Sequence, residues 1–134
     1  MEHRDPQVRT LAAAAAGLAA ALALKLFCFD IMVAEGNSMA PAISPGSILL
    51  VNRLAYGLRL PLSEIYALRW GHPKQGDILV FLSPLGEMAV KRCAEDSFGP
   101  TFKALGDNSG GSYDSRYYGP VSTELIFGKV MGRK

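Results

Sequence analysis

Ser38 sits in the segment Gly36-Asn37-Ser38-Met39-Ala40-Pro41, and roughly fifty residues later Lys91 sits in Glu87-Met88-Ala89-Val90-Lys91-Arg92. A serine in a tight turn and a lysine in an apolar strand are two parts of one chemistry. The hydroxyl attacks a carbonyl, and a neutral amine, not an imidazole, takes its proton. Gly36 lets the backbone turn unusually or approach a substrate closely, and Pro41 and Pro45 stiffen the chain beyond the serine. On its own, a serine among Gly, Asn and Pro is most often a plain turn residue. Strand alternation puts Lys91 on the same face as Ala89 and Cys93, with Arg92 on the opposite face. Small or apolar neighbours desolvate an amine and lower its pKa, as a lysine base near neutral pH requires. A strand lysine also commonly guards a sheet edge against pairing, and on the strand pattern alone that is the commoner reading.

A third segment bears on the choice: Gly106-Asp107-Asn108-Ser109-Gly110-Gly111-Ser112-Tyr113-Asp114-Ser115-Arg116. Gly106-Asp107-Asn108 is a turn signal, and Ser112 offers a hydroxyl to donate or accept at the lysine amine. Asp114 and Arg116 are close enough in sequence to pair. By composition alone the segment is also an ordinary Asx turn.

Together these segments resemble the type I signal peptidases, a family of membrane-anchored serine proteases. The family pattern G-D-N-x-x-x-S-x-D-S-R is filled at every fixed position by Gly106, Asp107, Asn108, Ser112, Asp114, Ser115 and Arg116. Tyr56-Gly57-Leu58-Arg59-Leu60-Pro61, Gly76-Asp77-Ile78-Leu79-Val80-Phe81, Tyr118-Gly119-Pro120-Val121 and Gly128-Lys129-Val130 also look like the family. The resemblance implies Ser38 as nucleophile, Lys91 as general base, Ser112 as the group orienting Lys91, and Asp114 with Arg116 bracing the loop. It implies the Ser38 amide as one oxyanion donor. Many members carry a serine hydroxyl two residues before the nucleophile; here that position is Gly36, so a second donor must come from backbone or water. The serine motif reads S-M-A-P-A-I where the family commonly has S-M-x-P-T-L. After Arg92 the family's G-L-P-G-D is replaced by Cys93-Ala94-Glu95-Asp96-Ser97-Phe98-Gly99, and Gly106 follows Lys91 by fifteen positions. The accessory β region that larger relatives insert there is missing, which makes this a compact catalytic core.

The elements that must position these residues are short. Ser47–Val51, Asp77–Leu82, Glu87–Arg92, Thr101–Leu105 and Ile126–Met131 read as strands, with Ser83-Pro84-Leu85-Gly86 as a hairpin turn. Ser63–Trp70 reads as one short helical turn. Leu58, Leu60, Leu62 and Trp70 are either core or an apolar lip that dips into a bilayer. The fold class expected is all-β, a small antiparallel catalytic domain with one N-terminal transmembrane helix. The division expected is 1–9 as a tail, 10–32 as a membrane anchor helix and 33–134 as a β-rich Ser-Lys peptidase domain.

Leu11 to Leu24 is an uncharged run of fourteen residues, nine of them alanine. As a helix it rises about 21 Å, short of the roughly 30 Å hydrocarbon core, and snorkelling of Lys25 extends it to Phe29. Arg4 and Arg9 before the run, with Ala21-Leu22-Ala23 as a cleavage site, equally suit a cleavable signal peptide. A buried amphipathic helix fits poorly, since the alanines leave no polar stripe. The resemblance favours the anchor and implies a single-pass protein of the cytoplasmic (inner) membrane, its catalytic part on the extracytoplasmic side. Basic residues alone leave the orientation open, because Arg4 and Arg9 oppose Lys25.

The chain has 134 residues and a net charge of +2, with the excess scattered through residues 35–134. That excludes the dense basic face that nucleic acid would call for. Cys28 and Cys93 make no disulfide framework and read as buried free thiols; no metal-ligand spacing occurs, so neither metal nor cofactor is expected. The partners implied are precursors bearing signal or leader peptides and the lipid bilayer; no oligomeric state is implied. Two other functions remain open: a Ser-Lys self-cleaving peptidase, and a catalytically silent membrane-tethered β module that binds partners. His72, in Trp70-Gly71-His72-Pro73, reads as an exposed loop residue, so a serine–histidine site is not expected.

Overall fold

A computed structural model describes residues 5–63 and 65–132. It opens with helix α1, Pro6–Phe27. Asp5 caps it, its carboxylate accepting from the Gln7 amide at 3.1 Å, and Pro6 sits where a missing N–H costs nothing. The helix is apolar on all sides and none of its residues is buried against the rest of the chain. Its 22 residues rise about 33 Å, enough to cross a bilayer core. It begins earlier than the expected 10–32 and ends earlier too. Phe29–Val33 forms a strand instead, because aromatic and β-branched residues alternate there and find a partner strand.

The rest is mostly antiparallel β structure, as the sequence suggests, with one short helix at Ser115–Tyr118 and 3-10 turns at Ser109–Gly111 and Thr123–Leu125. The central sheet contains β1 (Phe29–Val33), β2 (Ile48–Asn52), β5 (Ile78–Leu82), β6 (Met88–Cys93), β8 (Ala104–Leu105) and β10 (Ile126–Val130). Their order across the sheet is β1-β2-β10-β5-β6-β8. Two small ribbons flank it: β3 (Gly57–Arg59) with β4 (Tyr66–Arg69), and β7 (Thr101–Phe102) with β9 (Val121–Ser122). The expected helical turn at 63–70 is therefore wrong. Tyr66–Arg69 pairs with Gly57–Arg59, and the Tyr66 hydroxyl donates to the Ile126 carbonyl at 2.7 Å, so tertiary pairing overrides a weak local preference. The expected strand at 101–105 is split at Lys103: Phe102 pairs towards β9, while Ala104 pairs towards β6.

β5 is buried on both faces and accordingly reads as an unbroken apolar run, Ile78-Leu79-Val80-Phe81-Leu82. Ile78 and Val80 face one core with Leu49, Val51, Val130, Met39 and Ile43. Leu79 and Phe81 face another with Tyr56, Cys93, Phe102 and Ile126, where Phe81 and Phe102 meet edge to face at 5.2 Å. Cys93 is buried and Cys28 only half-buried; both are free thiols. The last strand, β10, threads between β2 and β5, and Gly128 makes this possible. A Cβ there would lie 2.6 Å from Val51 Cγ1 and 2.7 Å from the Asn52 carbonyl oxygen.

The apolar residues left outside these cores are grouped. Phe29, Ile31, Val33, Ile48 and Leu50 are exposed on one face of the β1–β2 pair, directly after α1. Leu60, Leu62, Leu68 and Trp70 are exposed too; of the four residues Leu58, Leu60, Leu62 and Trp70, Leu58 alone is partly covered and none is core.

Gly128→Ala should destabilise the protein by about 1–3 kcal/mol, the usual cost of overpacking. Thermal unfolding of the full chain in detergent measures it, and an unchanged melting temperature would contradict the close approach of β10 to β2.

Candidate active site

The serine turn is held from below by its own apolar residues. Met39 and Ile43 are buried in the first core, and the Ile43 amide donates to the Met39 carbonyl at 2.9 Å. Gly36, at φ +70°, turns the chain out of β1 into this segment, in a conformation open to glycine and strained for other residues. Ser38 is half-buried at the top.

Lys91 comes from β6, in register with Leu79 of β5. It is 6% exposed, and its Nζ lies 2.7 Å from Ser38 Oγ. Burial is the main influence on this amine and lowers its pKa from the ordinary 10.5; Asp114 pulls it up and Arg116 pushes it down. A deprotonated amine at that distance offers a lone pair to the serine O–H, the geometry a general base needs.

The Gly106–Arg116 loop closes over both. The Asn108 amide donates to the Ser38 carbonyl at 2.9 Å, and Asn108 Nδ2 donates to the Asn37 carbonyl at 3.1 Å. Asp114 is fully buried and gathers the loop: its carboxylate accepts from the Gly106 amide at 2.8 Å, the Ser112 hydroxyl at 2.7 Å and Arg116 Nε at 2.8 Å. Although burial opposes it, the hydrogen bonds from Arg116, Gly106 and Ser112 hold this carboxyl well below the usual carboxylate range. Stability from Asp114 is thus present above the ordinary carboxylate pKa and is lost as pH falls through the lowered one.

Of the residues singled out in the sequence, Ser38, Lys91 and Gly36 line one cleft, and Ser112, Asp114 and Arg116 form the hydrogen-bonded support beside it. The hydrogen bond made by the Ser112 hydroxyl, which the sequence reading aims at the Lys91 amine, goes to Asp114. His72 is half-buried, its ring 4.2 Å from that of Phe98, and it does not line the cleft. Sequence reading missed Tyr113 and Tyr118 in the cleft wall, since nothing in a Tyr-rich stretch marks which ring faces inward. It also missed the role of Asp107, whose carboxylate takes two bonds from Arg92, at 2.8 and 2.7 Å, and ties the loop to β6.

The cleft has a volume of about 750 Å³ and runs between the segment Met32–Gly36 and the strand Met88–Lys91. β8 pairs with β6 only at Arg92 and Cys93, so the Met88–Lys91 side of β6 is an open edge. An extended peptide fits such a trough by backbone pairing.

Comparison with known proteins finds related sequences. The family model described as signal peptidase, peptidase S26, matches residues 7–94, a stretch that includes Ser38 and Lys91. A signal peptidase I of Pseudomonas aeruginosa is 36% identical over 63 residues, which is 47% of this chain and 22% of that protein. One from Bacillus caldolyticus is 31% identical over 112 residues, 81% of this chain and 54% of its own length. One from Haemophilus influenzae is 28% identical over 119 residues, covering 82% of this chain and 33% of its own. The chain therefore spans from about a fifth to about half the length of these relatives.

Gly106 packs where no side chain fits: a Cβ would come 2.1 Å from Ser112 Oγ and 2.7 Å from the Ser38 carbonyl oxygen. Gly106→Ala should lower the melting temperature clearly, whereas Gly110→Ala, whose Cβ meets nothing within 4 Å, should leave it nearly unchanged. Equal melting temperatures for the two variants would overturn the packing of the loop on the serine turn.

Proposed function

The chain belongs to the signal peptidase family S26, and from that premise we propose that it is a membrane-anchored serine endopeptidase that removes signal peptides, or one dedicated leader, from exported precursors. The observation that carries this reading is the 2.7 Å approach of a nearly buried lysine amine to a serine hydroxyl in an open trough.

In this mechanism neutral Lys91 takes the proton of Ser38 as Oγ attacks the scissile carbonyl, and returns it to the leaving amine. Water then opens the acyl-enzyme with Lys91 again as base. The Ser38 amide donates to the oxyanion; with Gly36 two residues earlier, a second donor comes from backbone or water. Ser112, Asp114 and Arg116 act as positioning residues: the Arg116 guanidinium offsets the Asp114 charge that would otherwise hold Lys91 protonated. Residues 33–134 form the peptidase unit and α1 the single anchor in the cytoplasmic membrane, with the catalytic part outside the cytoplasm. The exposed β1–β2 face continues the apolar surface of α1 and rests on the lipid. Precursors bind extended along β6, with small side chains just before the cut and two residues further back.

The experiment is incubation of the detergent-solubilised full chain with precursors, followed by N-terminal sequencing of the products. Ser38→Ala and Lys91→Ala should each reduce cleavage by roughly 10⁴-fold or more, because the pair acts as a unit. Lys91→Arg should fail equally, since a guanidinium stays protonated, while His72→Ala should keep full activity. Appreciable turnover by Lys91→Ala, or inactivity of His72→Ala, would sink the lysine-base mechanism.

The pH dependence comes from the lowered Lys91 pKa. Only the deprotonated amine is a base, so kcat/KM should rise with pH along a limb that levels off below the ordinary 10.5. A limb at or above that value would contradict a desolvated lysine. In the same window the unfolded chain holds more protons than the folded one, so this group's contribution to stability also rises with pH.

A further inference from the structure

Where α1 ends and the chain enters the β domain there is a second recess, of about 440 Å³, bounded by Leu26, Asp30, Arg53, Arg59, Leu62 and Phe127. Two guanidiniums face it. Arg53 is 9% exposed; its Nη1 makes only a long bond of 3.4 Å to the Lys25 carbonyl, and its Nε is buried with no hydrogen-bond partner. The guanidinium lies 4.3 Å from the centre of the Phe127 ring, which fixes its plane. Arg59 is 8% exposed and donates to the Ser63 and Ile126 carbonyls at 2.8 and 2.9 Å.

Neither arginine has a carboxylate within ion-pair distance among the described residues. Asp30 also borders the recess and its charge acts on Arg53, but from beyond ion-pair distance, and its Oδ1 accepts from the neighbouring Ile31 amide at 2.8 Å. A buried cation left without a full counter-charge is costly. The other Arg side chains that carry ion pairs here, Arg69, Arg92 and Arg116, each meet an acidic partner at 2.7 Å or less. Among the described residues, Arg53 and Arg59 set two cations beside the single carboxylate of Asp30, and the buried Arg53 Nε–H has no partner, the chemistry that holds a phosphate.

The surroundings say which phosphate. The recess opens beside the last turn of α1, at Leu26, and its rim is Leu62, the most exposed apolar side chain of the β domain. We infer that this recess seats the phosphate of an anionic membrane phospholipid, with Arg53 and Arg59 binding the headgroup and Leu26 and Leu62 lying along the acyl chains. The inference rests on the reading of α1 as a membrane anchor. Met88 borders both the recess and the cleft; an apolar leader segment, however, carries no anion to satisfy Arg53. A headgroup bound here sits beside the cleft and fixes its height above the bilayer.

The test uses the full chain in micelles holding equal amounts of phosphatidylglycerol and phosphatidylcholine, and native mass spectrometry counts the lipid retained. The wild-type chain should keep one phosphatidylglycerol in preference to phosphatidylcholine by about tenfold, through the charge-assisted bonds. Arg53→Gln should abolish the preference. Leu62→Asp, at a position exposed enough to spare the fold, should weaken it by repelling the headgroup. Equal retention of the two lipids by the wild-type chain, or a preference unchanged in both variants, would overturn the proposal. So would displacement of the lipid by inorganic phosphate alone or by an acidic leader peptide. Flotation with pure phosphatidylcholine vesicles keeps the two readings apart: a chain that fails to float refutes the anchor itself, whereas one that floats without headgroup preference refutes only the site.

Discussion

Two opposing influences meet on one amine at the candidate site, burial and a nearby carboxylate. Burial of Lys91 favours the neutral form, and Asp114 nearby favours the ammonium. An opposite charge at close range in a poorly solvated site raises an amine's pKa, so the surroundings of Asp114 bear on Lys91. Asp114 is covered with donors: the Arg116 side chain, the Gly106 amide and the Ser112 hydroxyl all bond to it, and the Arg116 charge opposes that of Asp114 at the lysine. The spacing from Gly106 to Arg116 is thus a physical requirement of the site and not only a sequence signature.

The same constraint explains which residues were legible in the sequence. Ser38, Lys91, Ser112, Asp114 and Arg116 are noticeable because each polar type stands in a setting that leaves it few ordinary duties: a lysine inside an apolar strand, an aspartate in a glycine-rich loop. β5 and β6 are legible for a related reason, as both-face burial yields a continuous apolar run and a half-covered strand yields alternation. Ser112's actual partner was not legible, since a hydroxyl two residues from a carboxylate and near an amine satisfies either, and only the backbone path decides. The same holds for Asp107, whose bidentate link to Arg92 depends on β6 and the loop lying side by side.

The misread segments share a cause. Tyr66–Arg69 has no local signature of a strand, and three of its four residues are exposed. It is extended because Gly57 admits close backbone contact, where a Cβ would lie 2.2 Å from the Leu68 carbonyl oxygen. The expected anchor, 10–32, takes in the first four residues of β1, whose outward side chains Phe29 and Ile31 are as apolar as the helix before them. Hydropathy distinguishes lipid-like surroundings from water, but it does not distinguish a helix inside a bilayer from a strand lying against one.

The position of β10 has a consequence for how the protein comes into being. The last strand among the described residues lies in the middle of the sheet, between β2 and β5. Until residues 126–130 leave the ribosome, the β1–β2 pair that flanks the serine turn and the β5–β6 hairpin that bears the lysine have no shared neighbour to align them. Domains whose pairings join distant parts of the chain fold slowly, and during synthesis they wait for their last partner. Ser38 and Lys91 are therefore brought into register only once β10 has been made and has joined the two pairs.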